Sequence, residues 1–132
     1  MNPVVEKKWT GYTLLELMIV VAIAGILVTL AVPSFQRSAV KAREAALKQN
    51  LATLRTVLDQ HYADQANYPP TLEALVEAGY LRQIPVDPFT KDSTSWRLVF
   101  EENAGDDEPG GIFDVHSGSD LTALDGTPYS EW

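Results

Sequence analysis

The chain has 132 residues, 45% of them apolar, and a formal net charge of −8. That length suits one domain of ordinary size, and the absence of cysteine excludes a disulfide scaffold and any thiolate metal site. From Asp59 onward fifteen acids stand against three bases, Arg82, Lys91 and Arg97, and such a surface repels phosphate, which argues against nucleic acid as a partner.

In chain order, Lys7 and Lys8 precede a run from Leu17 to Phe35 that is 19 residues long and carries no charge. The run is longer than the apolar core of a cleaved secretory signal and close to the roughly 20 residues that cross a bilayer. No small-x-small site followed by a polar start lies behind it, so it reads as a retained membrane helix with Glu16 at its head. Arg37, Lys41 and Arg43 on the far side nearly balance Lys7 and Lys8, and charge alone leaves the orientation open.

Beyond the run, Val40, Leu47, Leu51, Leu54, Leu58 and Tyr62 fall on one helical stripe. Pro33 is the only breaker in the interior and should kink the helix near Thr29. A single helix from Tyr12 to Tyr62 would reach about 77 Å, more than a domain of this size needs. Between Ser34 and Leu58 it carries five bases (Arg37, Lys41, Arg43, Lys48, Arg55) and one acid, Glu44.

The remainder alternates short elements and turns. Thr71 is placed to cap a short helix over LEALVEA that Gly79 closes. QIPVDPFTKDS, with two prolines, reads as a loop. Trp96, Leu98 and Phe100 alternate with Arg97, Val99 and Glu101, as in a strand with one buried face; NAGDDEPGG is a turn and IFDVH a second strand. Trp96, Phe100 and Phe113 are expected to fill the core, and His61 and His116 to lie at the surface or at an interface. The tail from Ser117 is loop-like. The expected class is α+β: a long N-terminal helix, half in the membrane and half in water, packed on a small antiparallel β-sheet.

At Gly11-Tyr12-Thr13-Leu14-Leu15-Glu16 the chain resembles the type III signal of type IV pilins and of the pseudopilins of type II secretion. The family pattern is a basic leader ending in Gly, then usually Phe-Thr-Leu-x-Glu; Tyr12 here replaces the commoner Phe. Pro33 falls where many members place a proline, and YPPTLEALVEAGYL followed by IPVDPFT is similar to major pseudopilins. The resemblance implies a pilin fold with a leader at 1–11, a transmembrane and assembly half of the helix at 12–35, and a periplasmic globular domain at 36–132. It further implies cleavage between Gly11 and Tyr12 by a prepilin peptidase, N-methylation of Tyr12, and a single-pass protein of the bacterial inner membrane. Its partners would be copies of itself in a helical filament, other pseudopilins and an inner-membrane assembly platform. In such filaments the stretch from Gly25 to Pro33 tends to lose helical structure; in a free subunit it would be a kinked helix. The basic helix face is either solvated or, in a filament, set against a neighbour's acidic domain.

A carboxylate at the head of a membrane helix costs about 2.5–3.5 kcal/mol and calls for a partner. By resemblance Glu16 meets the freed amine of a neighbouring subunit and fixes the axial stagger; otherwise it sits among lipid headgroups. Major pseudopilins also hold calcium in the C-terminal loop, which would fall here to Asp120 and Asp125 with Ser117 and backbone carbonyls. Leu121, Thr122, Ala123 and Leu124 intervene where the family clusters acids, so a solvated acidic loop is the competing reading. The function implied is a structural subunit of a secretion pseudopilus, not an enzyme. A type IV pilus pilin is the alternative, disfavoured by the lack of cysteine; a single-pass protein with a periplasmic binding or catalytic module is a more distant one.

Overall fold

The computed structural model describes every residue except Met1, Val5, Lys7, Trp9 and 103–109, so the turn expected over NAGDDEPGG lies largely outside the described residues. In chain order the elements are α1 (Leu14–Gln65), α2 (Leu72–Glu77), β1 (Arg97–Phe100), β2 (Ile112–His116) and a 3-10 turn at Tyr129–Glu131. Two compact units share the chain, Met1–Ser38 and Ala39–Trp132.

Helix α1 begins at Leu14 rather than Tyr12 because Thr13 caps it. The Thr13 hydroxyl accepts the Glu16 amide at 3.1 Å and its carbonyl accepts the Leu17 amide at 3.1 Å, satisfying donors that a helix start leaves orphaned. Thr-x-x-Glu is the pattern of such starts. The helix continues through Pro33. Thr29, whose carbonyl would otherwise receive the missing Pro33 amide, turns its hydroxyl to the Ile26 carbonyl at 2.7 Å. Ala66, at φ 57, ends the helix.

In the first unit every described residue is exposed, including an 18-residue window of mean hydropathy 2.7. The second unit contains the core. Leu47, Leu51, Leu54, Val57 and Leu58 of α1 cluster with Leu72 and Leu75 of α2, Trp96 just ahead of β1, Ile112 and Val115 of β2, and Ala123 and Tyr129 of the tail. The stripe read from sequence is right from Leu47 to Leu58, while its first residue, Val40, is only half-buried and outside the core cluster. It then passes to His61, which is buried, while Tyr62 is 46% exposed. The spacing 47, 51, 54, 58, 61 follows the helical period, whereas two successive steps of four, from 54 to 58 to 62, drift off the face. Tyr62 instead stacks on Tyr68, with ring centroids 4.6 Å apart.

Helix α2 is closed as expected. The Thr71 hydroxyl accepts the Ala74 amide, and Gly79, at φ 83, lets the Gly79 and Tyr80 amides turn back to Val76 and Leu75, a glycine-requiring helix end.

The sheet is one antiparallel pair, with Leu98 opposite Val115 and Val99 opposite Asp114. Its register slips between Val99 and Phe100, so that Phe100 pairs with Ile112. That slip overturns one expectation. Phe113 is 42% exposed and Ile112, fully buried, takes the inner position on β2, because the extra residue exchanges the faces of that strand; Phe100, at the end of β1, is 48% exposed. Trp96 is buried as expected, its indole donating to the Pro85 carbonyl at 2.8 Å. Gly118 lies so close to Ser95 that a Cβ would run into the Ser95 carbonyl oxygen.

Since the core lies wholly in Ala39–Trp132, a fragment 38–132 should be a soluble monomer by light scattering. Within it Leu58→Ala should cost about 2–5 kcal/mol in urea unfolding, and Tyr62→Ala only about 1 kcal/mol. Equal losses would return Tyr62 to the core stripe.

Candidate functional site

The first set of residues is the N-terminal junction. Gly11, Tyr12 and Thr13 are non-helical and exposed, so the Gly11–Tyr12 peptide bond precedes α1 and its cap. Nothing lies within 4 Å of a Cβ built on Gly11, and its backbone is not left-handed. The fold of this chain therefore places no demand for glycine there. Glu16 falls on the first turn of α1 and is exposed; among the described residues it enters no ion pair. On the following turns Leu17, Val20, Ile23, Leu27 and Leu30 are all half to two-thirds exposed. An apolar surface of this extent is stable only against lipid or other protein.

The second set is the C-terminal loop, and it is built on Tyr129. That ring is 1% exposed; it stacks on Phe89 at 4.0 Å and takes Trp132 edge-on at 5.0 Å. Its hydroxyl donates to Glu44 Oε1 at 2.8 Å, and the same oxygen accepts the Leu124 amide at 2.9 Å. Lys48, one turn along α1, lies 4.7 Å from the Trp132 ring centroid.

The three residues singled out for calcium each face a different partner. Ser117, fully buried, donates to Asp87 Oδ2 at 2.5 Å. Asp120 pairs with Arg97 at 2.6 Å. Asp125 accepts both the amide (2.9 Å) and the hydroxyl (2.6 Å) of Thr127, which hold its carboxyl below the usual carboxylate range. Among the described residues no three His, Cys, Asp or Glu side chains gather where a metal ion could bind. As arranged, this donor set does not fit calcium, which takes six to eight oxygens.

Sequence reading missed the two acids that organise this end of the molecule. Asp87 is fully buried and also accepts the Phe89 amide at 2.9 Å; its only signal was an Asp ahead of a proline in a turn, where the side chain bonds the backbone two residues on. Glu44 passed as the one acid in a basic helix face. His61, expected at the surface or at an interface, is buried within the globular unit with Nδ1 2.8 Å from the Asn67 carbonyl. His116 lies 2.6 Å from the Trp132 carbonyl and 3.4 Å from Asp114. Both tie chain segments together.

The profile of the prokaryotic N-terminal methylation motif matches residues 10–32, which contain the junction and the exposed helix. The type II secretion system core protein G of Vibrio cholerae is 37% identical over 101 residues, 65% of this chain and 69% of its own. The chain belongs to the core protein G family, the major pseudopilins. The core protein G of Escherichia coli is 35% identical over 101 residues, 64% of this chain and 70% of its own. That of Klebsiella pneumoniae is 36% identical over 102 residues, covering 65% and 73%. No solved structure matches the chain. Membership in this family fits the apolar N-terminal half of α1 as a single membrane anchor.

The packing of Tyr129 has a measurable consequence in this pseudopilin. Burial, then the hydrogen bond to Glu44 and the charges of Glu44 and Asp125, push the Tyr129 hydroxyl up to about 12. Folding thus favours its neutral form. That contribution is intact below about pH 10, where unfolded tyrosine begins to ionise, and is lost as the pH rises towards 12. Thermal melts across this range should show wild-type stability falling, and a shallower fall in Tyr129→Phe. Parallel falls would remove Tyr129 from the alkaline transition.

Proposed function

We propose that this pseudopilin is a structural subunit of the periplasmic pseudopilus of a type II secretion system, and that its work is done by assembly, not catalysis. The observation that carries the proposal is the junction Gly11-Tyr12-Thr13-Leu14-Leu15-Glu16, whose Gly11–Tyr12 bond stands outside the helix cap and directly ahead of a fully exposed apolar helix, in a member of the core protein G family. A prepilin peptidase cuts between Gly11 and Tyr12, and the new amine of Tyr12 is methylated. An accessible, non-helical scissile bond and a glycine that the fold does not require both suit that step.

The mature subunit waits in the inner membrane with Ala39–Trp132 in the periplasm. The assembly platform and other pseudopilins then receive it into the filament. There the Glu16 carboxylate meets the amine of a neighbouring Tyr12. Each charge alone would be costly in an apolar filament core, and together they offset one another's desolvation. Only one axial stagger pairs them, so the pair sets the register.

Intact mass and N-terminal sequencing of the mature protein should give methylated Tyr12 at the start; a start at Met1 or beyond Val32 would sink the processing step. Glu16→Leu should insert into the membrane as well as wild type or better, and be processed, yet give few or no filaments at matched subunit levels. Glu16→Gln should be nearly as poor and Glu16→Asp intermediate, because the charge survives only in the latter. Normal filament yield from Glu16→Leu would remove this residue from the assembly contact.

A further inference from the structure

The segment from Leu121 to Tyr129 is a small closed hairpin. Thr122 bridges Pro128, the Tyr129 amide donates to the Leu121 carbonyl at 3.1 Å, and the Ala123 amide donates to the Thr127 carbonyl at 2.7 Å. Gly126, at φ 91, makes the reversal and donates to the Ala123 carbonyl at 3.0 Å. Asp125 locks the turn from inside through Thr127, and the Trp132 indole donates to the Thr127 hydroxyl at 2.9 Å. The backbone carbonyls of Leu121, Ala123 and Thr127 are therefore already accepting, and so is the Asp125 carboxylate. Asp120 is drawn to Arg97 and Ser117 to Asp87. These carbonyls, the Oδ1 atoms of Asp120 and Asp125 and the Ser117 hydroxyl thus each meet a partner within the chain.

A single side chain of α1 completes the closure. One oxygen of Glu44 accepts from the Leu124 amide near the tip of the hairpin and from the Tyr129 hydroxyl at its base, contacts 80 and 85 residues away in sequence. Bonds to an ionised acceptor are the stronger kind, and Glu44 is only half-buried, so its charge needs no metal to stabilise it. We propose that in this pseudopilin the C-terminal loop is closed without calcium, by a latch in which Glu44 of α1 takes the structural place of the ion. The latch fastens the chain's end to the helix by charge-assisted hydrogen bonds, and it leaves loop closure indifferent to the supply of divalent cation. This inference concerns the globular unit alone and does not depend on filament assembly.

The test uses the full chain in detergent micelles, with hydrogen exchange and thermal unfolding followed in millimolar calcium chloride or in excess EDTA. Wild type should give the same Tm, and the same exchange over 119–130, in both. Glu44→Ala should speed exchange at Leu124 about tenfold, the size expected for losing one charge-assisted bond, while the Leu51 and Leu54 amides keep their rates as internal controls. Glu44→Gln, which keeps an acceptor oxygen, should fall between. If Glu44→Ala does not fold, Tyr129→Phe and Glu44→Gln carry the same comparison with the ring packing retained. Calcium that raises the wild-type Tm or slows exchange across 119–128 would overturn the proposal. So would a Leu124 amide that exchanges at the wild-type rate in the Glu44 variants.

Discussion

The globular unit depends on removing one apolar stripe from water. A two-stranded ribbon is marginal at best when isolated, and β1 and β2 together contribute nine residues. The stripe Leu47, Leu51, Leu54, Leu58 and His61 is the surface on which the short segments collapse. Each fully buried aliphatic side chain there contributes about 1.5–3 kcal/mol, and no other element is long enough to supply such a row. The short segments are then fixed by polar side chains that α1 extends beside the stripe. Asn50 donates to the Val86 carbonyl at 3.0 Å. Arg55 reaches Asp114 and the Val115 carbonyl. His61 meets the Asn67 carbonyl, and Glu44 holds the tail. Burial supplies the stability, and these contacts set where each loop lies.

The same helix meets a different solvent in its first half. Leu14 to Phe35 is exposed on every side, so no face is reserved for an internal partner, and a helix apolar all round belongs in lipid or among copies of itself. The two features that a water-soluble helix would avoid, Pro33 and Gly25, are cheaper there than they look. A neighbour or a backbone adjustment can re-satisfy what proline frees, and nothing in this chain lies within 4 Å of a Cβ at Gly25.

Charge follows the same division. The bases cluster along the first part of the aqueous helix and the acids beyond it. Among the described residues most of those acids are exposed, but Asp87 is fully buried with three donors and Glu44 half-buried with two. A buried carboxylate is tolerable only when its oxygens are matched in this way. These two are therefore structural anchors, although in composition they are indistinguishable from the solvated acids.

What the sequence determined by itself was whatever depends on near neighbours along the chain. The junction before the uncharged run, the helix on either side of Pro33, the Thr71 cap and the Gly79 stop all follow from spacings of a few residues, where backbone sterics and the 3.6-residue period act directly. The core stripe was legible from Leu47 to Leu58 for the same reason. Tertiary structure decided the rest. The register slip at Val99 and Phe100 turned Phe113 outward and Ile112 inward, and no local pattern marks such a slip. The helical period brings His61 to the stripe's last place, and the Asn67 carbonyl gives its buried ring nitrogen a partner. Ser117, Asp120 and Asp125 look like one ligand set in sequence, but their donors and partners arrive from Asp87, Arg97 and Thr127. Glu44 and Tyr129, 85 residues apart, share a hydrogen bond that only the folded chain can bring together. A side chain's partner across such a distance is fixed by which surfaces the chain buries, and that is decided by the packing of the whole unit.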